Sequence, residues 1–302
     1  MAEVIPLTRQ ATNGIIIHDM PKNGTRPSEL DSRDFSFSQT FGSVEPLKLP
    51  SEYSVDVGLT MPNQIEEGNP YSCTAYSVCD VGTDQDMIIY SPEYSYCKTL
   101  YLQNLPPETN GSDIRPALKS AKVYGLLPVK DLPKLLTGRG EDYTANQANW
   151  PVEVDKISGL LEHRKGNYFN VYTDGGQDWF DSFRSAMWLN RNDKRGIIVG
   201  TPWLWSSAPQ GFLTEHFIYD GNPNSVSWHA WAIKGWTTID GKQYLIGKPW
   251  QGKEYGANGF VYVSRETINK VMEIRGSVAF TLADATDKDI VSIKLGIIET
   301  IL

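Results

Sequence analysis

The hydrophobic pattern changes once along this chain, and that change restricts the folds open to it. In the first half, apolar residues such as Ile114, Leu118 and Ala121 recur at three- and four-residue spacing, which is typical of packed helices. After about residue 195 the pattern consists of short apolar runs between turn residues. An Asp-Gly pair at 240 and 241 marks a hairpin there. A helical half followed by a β half indicates an α+β fold.

Individual elements follow from the same pattern. The segment 128–178 is rich in Pro, Gly and Asn signals and is predicted to be mainly loop. On either side of it we predict helices at about 73–90, 91–103, 112–124 and 179–190, and strands within 195–203, 228–236, 243–250 and 259–264.

Composition excludes several classes of protein. With 302 residues, 40% of them hydrophobic, the chain can bury one large domain or two packed subdomains. Its net charge of −8 and the absence of a basic run argue against a nucleic-acid partner. No apolar stretch is long enough to span a membrane, and the N-terminus does not resemble a secretory signal. The sequence therefore predicts a cytoplasmic protein or one associated with an assembly such as a virion.

Both ends of the chain differ from the middle. Residues 1–48 are polar and rich in Gly and Pro, and are predicted to be an arm that cannot form a core alone. This arm is either a short propeptide or a strap that docks the domain onto a neighbour. Residues 283–302 form an amphipathic pattern, which predicts a helix that packs on the domain or contacts a partner in an assembly.

One of the three cysteines occupies a position suited to catalysis. Cys73 follows a Gly-Asn-Pro-Tyr turn and begins a predicted helix, where backbone N–H groups and the helix dipole lower the pKa of a thiol. A thiol nucleophile also needs a base. Of the four histidines, only His229 lies in a strongly patterned strand. Cys79 and Cys97 are predicted to be buried free thiols, because an odd number of cysteines does not suggest a disulfide scaffold.

Several motifs occur in an order that resembles the papain-like cysteine peptidase family. Asn63-Gln64 and Ser72-Cys73-Thr74-Ala75 are similar to the family's Asn-Gln and Ser-Cys-x-Ala nucleophile segments. The run HAWAIKGW, which begins at His229, resembles the segment around the family's catalytic histidine. The later run EYGANGF resembles its Trp-Gly-x-Asn-Gly-Tyr segment.

The resemblance implies a two-subdomain papain-like fold for residues 49–282, with a helical left half, a β-barrel-like right half and an active-site cleft between them. Cys73 would be the nucleophile of a peptidase, and His229 its general base and acid, the two forming a thiolate–imidazolium pair. Gln64, with the backbone N–H of Cys73, would form the oxyanion hole. No cofactor is implied.

The resemblance also suggests residues that line the substrate cleft. Trp250 stands where the family has a tryptophan that shields the site, and Ser72 precedes the nucleophile. Trp236, in the tryptophan-rich β half, is a further candidate. No His, Cys or acidic cluster has the spacing of a metal site.

Two departures from the family pattern concern the catalytic group. Lys248 followed by Pro249 stands where the family has Asn-Ser, and a lysine cannot accept the imidazole N–H bond that the asparagine accepts. The segment between Gln64 and Cys73 is also three residues longer than in the family.

Two functions remain open from the sequence. One is an active cysteine peptidase that acts on a peptide or protein substrate. The other is a papain-fold structural or interaction module with an impaired site, which would use the N-terminal arm and the C-terminal helix as contacts with assembly partners.

Overall fold

A computed structural model of the chain gives the architecture. It describes residues 9–10, 16–17, 24–28, 31, 33–43, 45–59, 61, 72–106, 109, 111–131, 163–171, 178–203, 205–207, 211, 213–215, 227–250, 252–253 and 255–283.

Six helices occur within these residues: α1 Phe37–Phe41, α2 Cys73–Asp86, α3 Pro92–Leu102, α4 Ile114–Val123, α5 Trp179–Leu189 and α6 Arg265–Met272. The four predicted helices are confirmed as α2 to α5, whereas α6 was not predicted. Local signals set their starts: the Ser91 hydroxyl accepts from the Tyr94 N–H at the head of α3, and the Asp178 carboxylate caps α5.

The described strands are β1 Arg9–Gln10, β2 Ile16–Ile17, β3 Tyr53–Ser54, β4 Asn167–Asn170, β5 Ile197–Pro202, β6 Trp205–Ser207, β7 Leu213–Glu215, β8 Trp228–Ile239, β9 Lys242–Lys248, β10 Val261–Ser264 and β11 Val278–Ala283. The main sheet has the order β10-β9-β8-β5-β11-β4, with β3 paired to β8, and every pairing is antiparallel. Asp240 and Gly241 both have positive φ and form the predicted hairpin between β8 and β9. The sequence predicted β5, β8, β9 and β10, and it did not predict the other described strands.

The strands β5 and β11 and most of β8 are buried on both faces of the sheet, and the alternation along these strands divides the core in two. Ile197, Val199 and Trp231 face α5 and α6, together with the aromatic residues of those helices. Ile198 and Ala232 point the other way and pack against α2 and α4. Successive strand residues point to opposite faces, so one sheet supports a helical layer on each side. The fold is α+β, as predicted.

A polar stripe on α2 joins this helix to β8. Cys73, Ser77, Asp80 and Asp84 follow one another at helical spacing and are all buried. Lys234 of β8 is fully buried between the last two: its Nζ lies 2.6 Å from Asp80 Oδ2 and also contacts Asp84. Burial alone would lower the pKa of Lys234, but the two carboxylates outweigh it and raise that pKa.

The pKa of Asp84 is shifted because two carboxylates lie against one buried lysine. Burial raises the pKa of Asp84 to about 7, although the Lys234 charge opposes the shift. The ion cluster therefore holds α2 and β8 in one register, because any sliding would separate buried charges.

Described residues between 33 and 43 of the N-terminal segment pack on the domain. Phe37 and Phe41 of α1 contact the ring of Phe169 in β4, with ring centroids 6.4 and 5.0 Å apart. The Arg115 Nε donates to Asp34 at 2.7 Å. The predicted C-terminal helix over 283–302 lies outside the described residues except for Ala283, which ends β11.

Replacing Lys234 tests the ion cluster. In Lys234→Met both carboxylates lose their buried counter-charge, so we expect the free energy of unfolding to fall by about 3–5 kcal/mol, measured by urea denaturation. Lys242→Met, at the exposed start of β9, is the control and should change that energy by less than about 0.5 kcal/mol. Equal effects of the two substitutions would contradict the role of the cluster.

Candidate functional site

Cys73 is the first residue of α2, directly after Ser72, whose carbonyl accepts from the Ala75 N–H at 2.9 Å. The Cys73 side chain is completely buried. Its Sγ accepts a hydrogen bond from the Ala230 N–H at 3.4 Å. The helix start and β8 thus meet at the sulfur atom, one residue along the chain from His229.

His229 lies near the start of β8 and is also completely buried. Its Nε2 is 2.7 Å from the carbonyl oxygen of Pro249, and the Trp203 ring packs edge-on against the imidazole at 4.8 Å. A carbonyl oxygen only accepts, so Nε2 carries the proton. The other ring nitrogen, Nδ1, has no hydrogen-bond partner among the described residues.

Burial keeps both groups neutral. Loss of water raises the pKa of the Cys73 thiol to about 12, against the opposing effect of backbone N–H groups that include that of Ala230. Burial likewise lowers the pKa of His229 to about 4, although the bond to Pro249 acts in the other direction. In this arrangement desolvation exceeds the effect of the helix N-terminus and favours the neutral thiol and imidazole over the thiolate–imidazolium pair.

Lys248 does not contact His229 in the way that its place in the sequence suggested. It pairs with Ala232 across β8 and β9 and so shares the face that looks toward α2. Its Nζ lies 3.5 Å from Asp80 Oδ1 and 4.7 Å from the centre of the Trp250 ring. The group that the imidazole binds is the main-chain carbonyl of Pro249, which residue-type reasoning could not find because any residue has a carbonyl.

Trp250 is buried beside the helix that carries the cysteine. Its Nε1 donates to Ser77 Oγ at 3.4 Å, and Ser77 Oγ in turn donates to the Cys73 carbonyl at 2.9 Å. Tyr76 packs on the Trp250 ring at 5.9 Å.

Trp236, a candidate for the substrate cleft, lies in the hydrophobic core instead. It is fully buried, its Nε1 donates to the Pro50 carbonyl at 2.9 Å, and Tyr53 packs on it at 5.0 Å. The β-bulge between Ile233 and Gly235 turns Trp236 to the sheet face that packs against α5.

Thr25 of the N-terminal arm is hydrogen-bonded to the chain near both site residues. Thr25 is buried, and its N–H donates to the Trp228 carbonyl at 3.4 Å while its hydroxyl donates to the Ser112 carbonyl at 3.1 Å. The Ser112 hydroxyl is bonded to that of Thr74, the neighbour of Cys73. Thr25 therefore bridges the chain segments next to both site residues.

The remaining predictions concern Gln64, the cysteines, a metal site and a membrane span. Gln64 lies outside the described residues. Cys79 and Cys97 are buried free thiols, as predicted, and Cys73, the predicted nucleophile, is also a buried free thiol. Within the described part of the chain, no group of three His, Cys, Asp or Glu residues could hold a metal ion. None of the helices described there combines the length and the hydrophobicity that a membrane crossing requires.

A cavity of about 200 Å³ lies elsewhere, between α1 and α5, lined by residues that include Phe37, Asp181 and Ser185. It shares no lining residue with the site around Cys73. In the described arrangement the site is closed.

Comparison with known proteins gives the fold. No family model matches the chain, and no curated protein matches it. Among solved structures it is similar to xylellain, a cysteine protease from Xylella fastidiosa, at 14% identity and a TM-score of 0.61, with 88% of this chain and 97% of that one covered. A digestive procathepsin L 3 of Tenebrio molitor larval midgut is similar at 15% identity and a TM-score of 0.54, over 85% and 76% of the two chains.

The Amb a 11 cysteine protease of ragweed pollen, in its proform, is similar at 14% identity and a TM-score of 0.53, over 83% of this chain and 70% of that one. The chain therefore has the papain-like fold, and the resemblance stated from its motifs is confirmed at the level of the fold.

The neutral, closed site predicts a specific pH dependence. Below the pKa of a thiol the thiolate fraction rises about tenfold per pH unit. Because burial raises the pKa of Cys73, the rate at which iodoacetamide modifies it in the intact chain should rise throughout from about pH 6 to about pH 9. Peptide mass spectrometry distinguishes Cys73 from Cys79 and Cys97. A rate independent of pH across this range would instead indicate an ion pair with His229.

Proposed function

We propose that the protein is a cysteine peptidase of the papain-like type, held closed by its own N-terminal segment. One observation carries the proposal: Cys73, at the head of α2, contacts β8 next to His229. The N–H of Ala230, the residue after His229, donates to the Cys73 sulfur at 3.4 Å. A thiol at a helix start and a histidine that keeps one ring nitrogen free are what thiol catalysis requires. The papain-like fold supports the same assignment.

The proposed chemistry uses residues that the chain itself supplies. His229 Nδ1 takes the proton of the Cys73 thiol, and the sulfur attacks the carbonyl carbon of a peptide bond. Gln64 and the Cys73 N–H stabilise the oxyanion. The imidazolium then gives its proton to the leaving amine as the C–N bond breaks. Water, deprotonated by His229, hydrolyses the thioester and restores the thiol.

The closed site accounts for how such an activity is restrained. Thr25 is hydrogen-bonded to the residue before His229 and to Ser112, whose hydroxyl meets that of Thr74. We infer that residues 24–28 act as an autoinhibitory strap, which excludes water and substrate together. Displacing them would hydrate the thiol and the imidazole and remove the main cause of their pKa shifts.

A second candidate function is a catalytically impaired interaction module. Its support is the absence, within the described residues, of a hydrogen bond between the Cys73 thiol and the His229 imidazole, together with the Lys248-Pro249 pair. Geometry of this kind also occurs in active enzymes without substrate, where catalytic hydrogen bonds tighten only in the complex. Activity measurements distinguish the two candidates.

Substitution of the two cysteines on α2 tests the peptidase proposal. Cys73→Ala should reduce hydrolysis of labelled casein and of fluorogenic peptides by at least about 10⁴-fold, because the covalent route is lost. Cys79→Ala is the matched control: the same change at another buried position of the same helix. It should leave the turnover of the correctly folded fraction unchanged.

Near-ultraviolet circular dichroism establishes that both variants fold. Hydrolysis that survives in Cys73→Ala would rule out the assigned nucleophile. A wild-type protein without hydrolysis, even after the strap is displaced, would favour the interaction module.

Displacement of the strap is tested at Thr25. An arginine cannot occupy this buried position without losing its hydration, so Thr25→Arg should expel residues 24–28. We expect labelling of Cys73 by an epoxysuccinyl inhibitor to become at least about tenfold faster and less dependent on pH, as burial no longer raises the thiol pKa.

The control for this experiment is Arg26→Ala, at the exposed neighbouring position, which should label at the wild-type rate. Labelling of Thr25→Arg at the wild-type rate, with a strap that proteases now cleave, would show that residues 24–28 do not restrain the thiol.

A further inference from the structure

The turn that follows β9 contacts both the proposed base and the helix of the proposed nucleophile. Pro249 supplies the carbonyl that binds His229 Nε2 at 2.7 Å. The next residue, Trp250, donates to Ser77 Oγ at 3.4 Å, one helical turn from Cys73. No other segment among the described residues makes hydrogen bonds to the His229 ring and to the first turns of α2 in this way.

The bond to Pro249 determines what the imidazole can do. A histidine acts as a base only through a nitrogen that has a free lone pair, and the bond made by the other nitrogen selects which one that is. With its proton held on Nε2 by a carbonyl, His229 leaves Nδ1 as the basic atom. If that carbonyl moved away, the proton would distribute between both nitrogens and the ring would lose its fixed orientation.

The backbone that carries this carbonyl needs support from its surroundings. Trp250 has a φ of +63°, in the left-handed region that residues other than glycine adopt only when neighbouring groups hold them there. Three contacts hold it: the bond to Ser77, the ring of Tyr76, and the Lys248 ammonium 4.7 Å above the indole.

Lys248 connects these contacts. Its side chain is only 17% exposed, and its Nζ lies between Asp80 Oδ1, at 3.5 Å, and the Trp250 ring. Asp80 is itself fixed by Lys234 at 2.6 Å. The Lys248 ammonium thus connects the turn to Asp80 of α2, and Lys248 is the residue directly before Pro249, whose carbonyl binds His229.

We propose that Lys248 is a positioning residue, which holds the turn at Pro249 and Trp250 so that the Pro249 carbonyl fixes His229 as its Nε2–H tautomer. This assignment rests on the proposed function in one respect, the use of His229 Nδ1 as the base. In this arrangement the Pro249 carbonyl accepts the His229 Nε2–H bond and Lys248 holds that carbonyl in place, whereas a side-chain acceptor would do both.

Nitrogen-15 spectroscopy of the histidine rings tests this proposal without any need for turnover. The two ring shifts report the tautomer, and exchange with water reports how firmly the Nε2 proton is held. The His229 signals are assigned by their loss in His229→Gln. The variants are Lys248→Met, which keeps the stem and removes the charge, Lys248→Arg, which keeps the charge, and Lys242→Met, at the exposed end of the same strand, as the control.

We expect one tautomer, Nε2–H, in the wild type, Lys248→Arg and Lys242→Met. Lys248→Met should show both tautomers and an Nε2 proton that exchanges at least about tenfold faster. Trp250→Phe, which removes the donor to Ser77 and retains a ring, should shift both readouts in the same direction, and it provides the test if Lys248→Met does not fold. An unchanged tautomer and exchange rate in the folded variants would overturn the proposal.

Labelling of Cys73 separates this inference from the proposed function. In the Thr25→Arg background, Lys248→Met should slow the epoxysuccinyl reaction by about tenfold or more, since small displacements of a catalytic group have effects of this size, and Lys248→Arg should restore it. If Cys73 does not react in any background, the proposed function fails, while the tautomer of His229 still decides the role of Lys248.

Discussion

The buried ion cluster of Lys234 with Asp80 and Asp84 is the interaction on which the site depends. It joins the helix that carries Cys73 to the strand that carries His229, and all of its members are essentially without solvent contact. Charges in such a place stabilise a fold only when they remain paired, so the cluster tolerates one alignment of helix and strand. The meeting of Cys73 Sγ with the Ala230 N–H, at the other end of the same helical stripe, follows from that alignment.

Desolvation explains why the Cys73 thiol and the His229 imidazole favour their neutral forms in this arrangement. The helix N-terminus and the backbone N–H groups favour a thiolate, and the carbonyl of Pro249 favours a protonated imidazole. Burial opposes both and is the larger effect, since it leaves the pKa of Cys73 at about 12 and that of His229 at about 4. The arm residue Thr25 is hydrogen-bonded to Trp228 and Ser112, which lie next to the chain segments that carry the two groups.

Much of the fold could be predicted from the sequence because local periodicity reports burial directly. The helices α2 to α5 and the strands β5, β8, β9 and β10 follow from apolar spacing and turn residues. The helix α6 and the strands β1 to β4, β6, β7 and β11 were missed. The strand β4 consists of only four residues with Asn at each end, and β11 is a short apolar run that periodicity cannot distinguish from a buried helix segment.

The sequence by itself determined which residues could carry chemistry: a cysteine at a helix start, a histidine in a strong strand, and a lysine where an acceptor was expected. Only the tertiary structure decided how they are used. Residue types could not reveal that the Pro249 carbonyl binds His229, because every residue has a carbonyl. The β-bulge after Ile233 places Trp236 in the core, although the sequence made it a candidate for the cleft. The register of β8 and β9 places Lys248 beside Asp80. These outcomes depend on which main-chain atoms and charges become neighbours across 20 to more than 150 residues of chain, and local sequence spacing carries no information about such contacts.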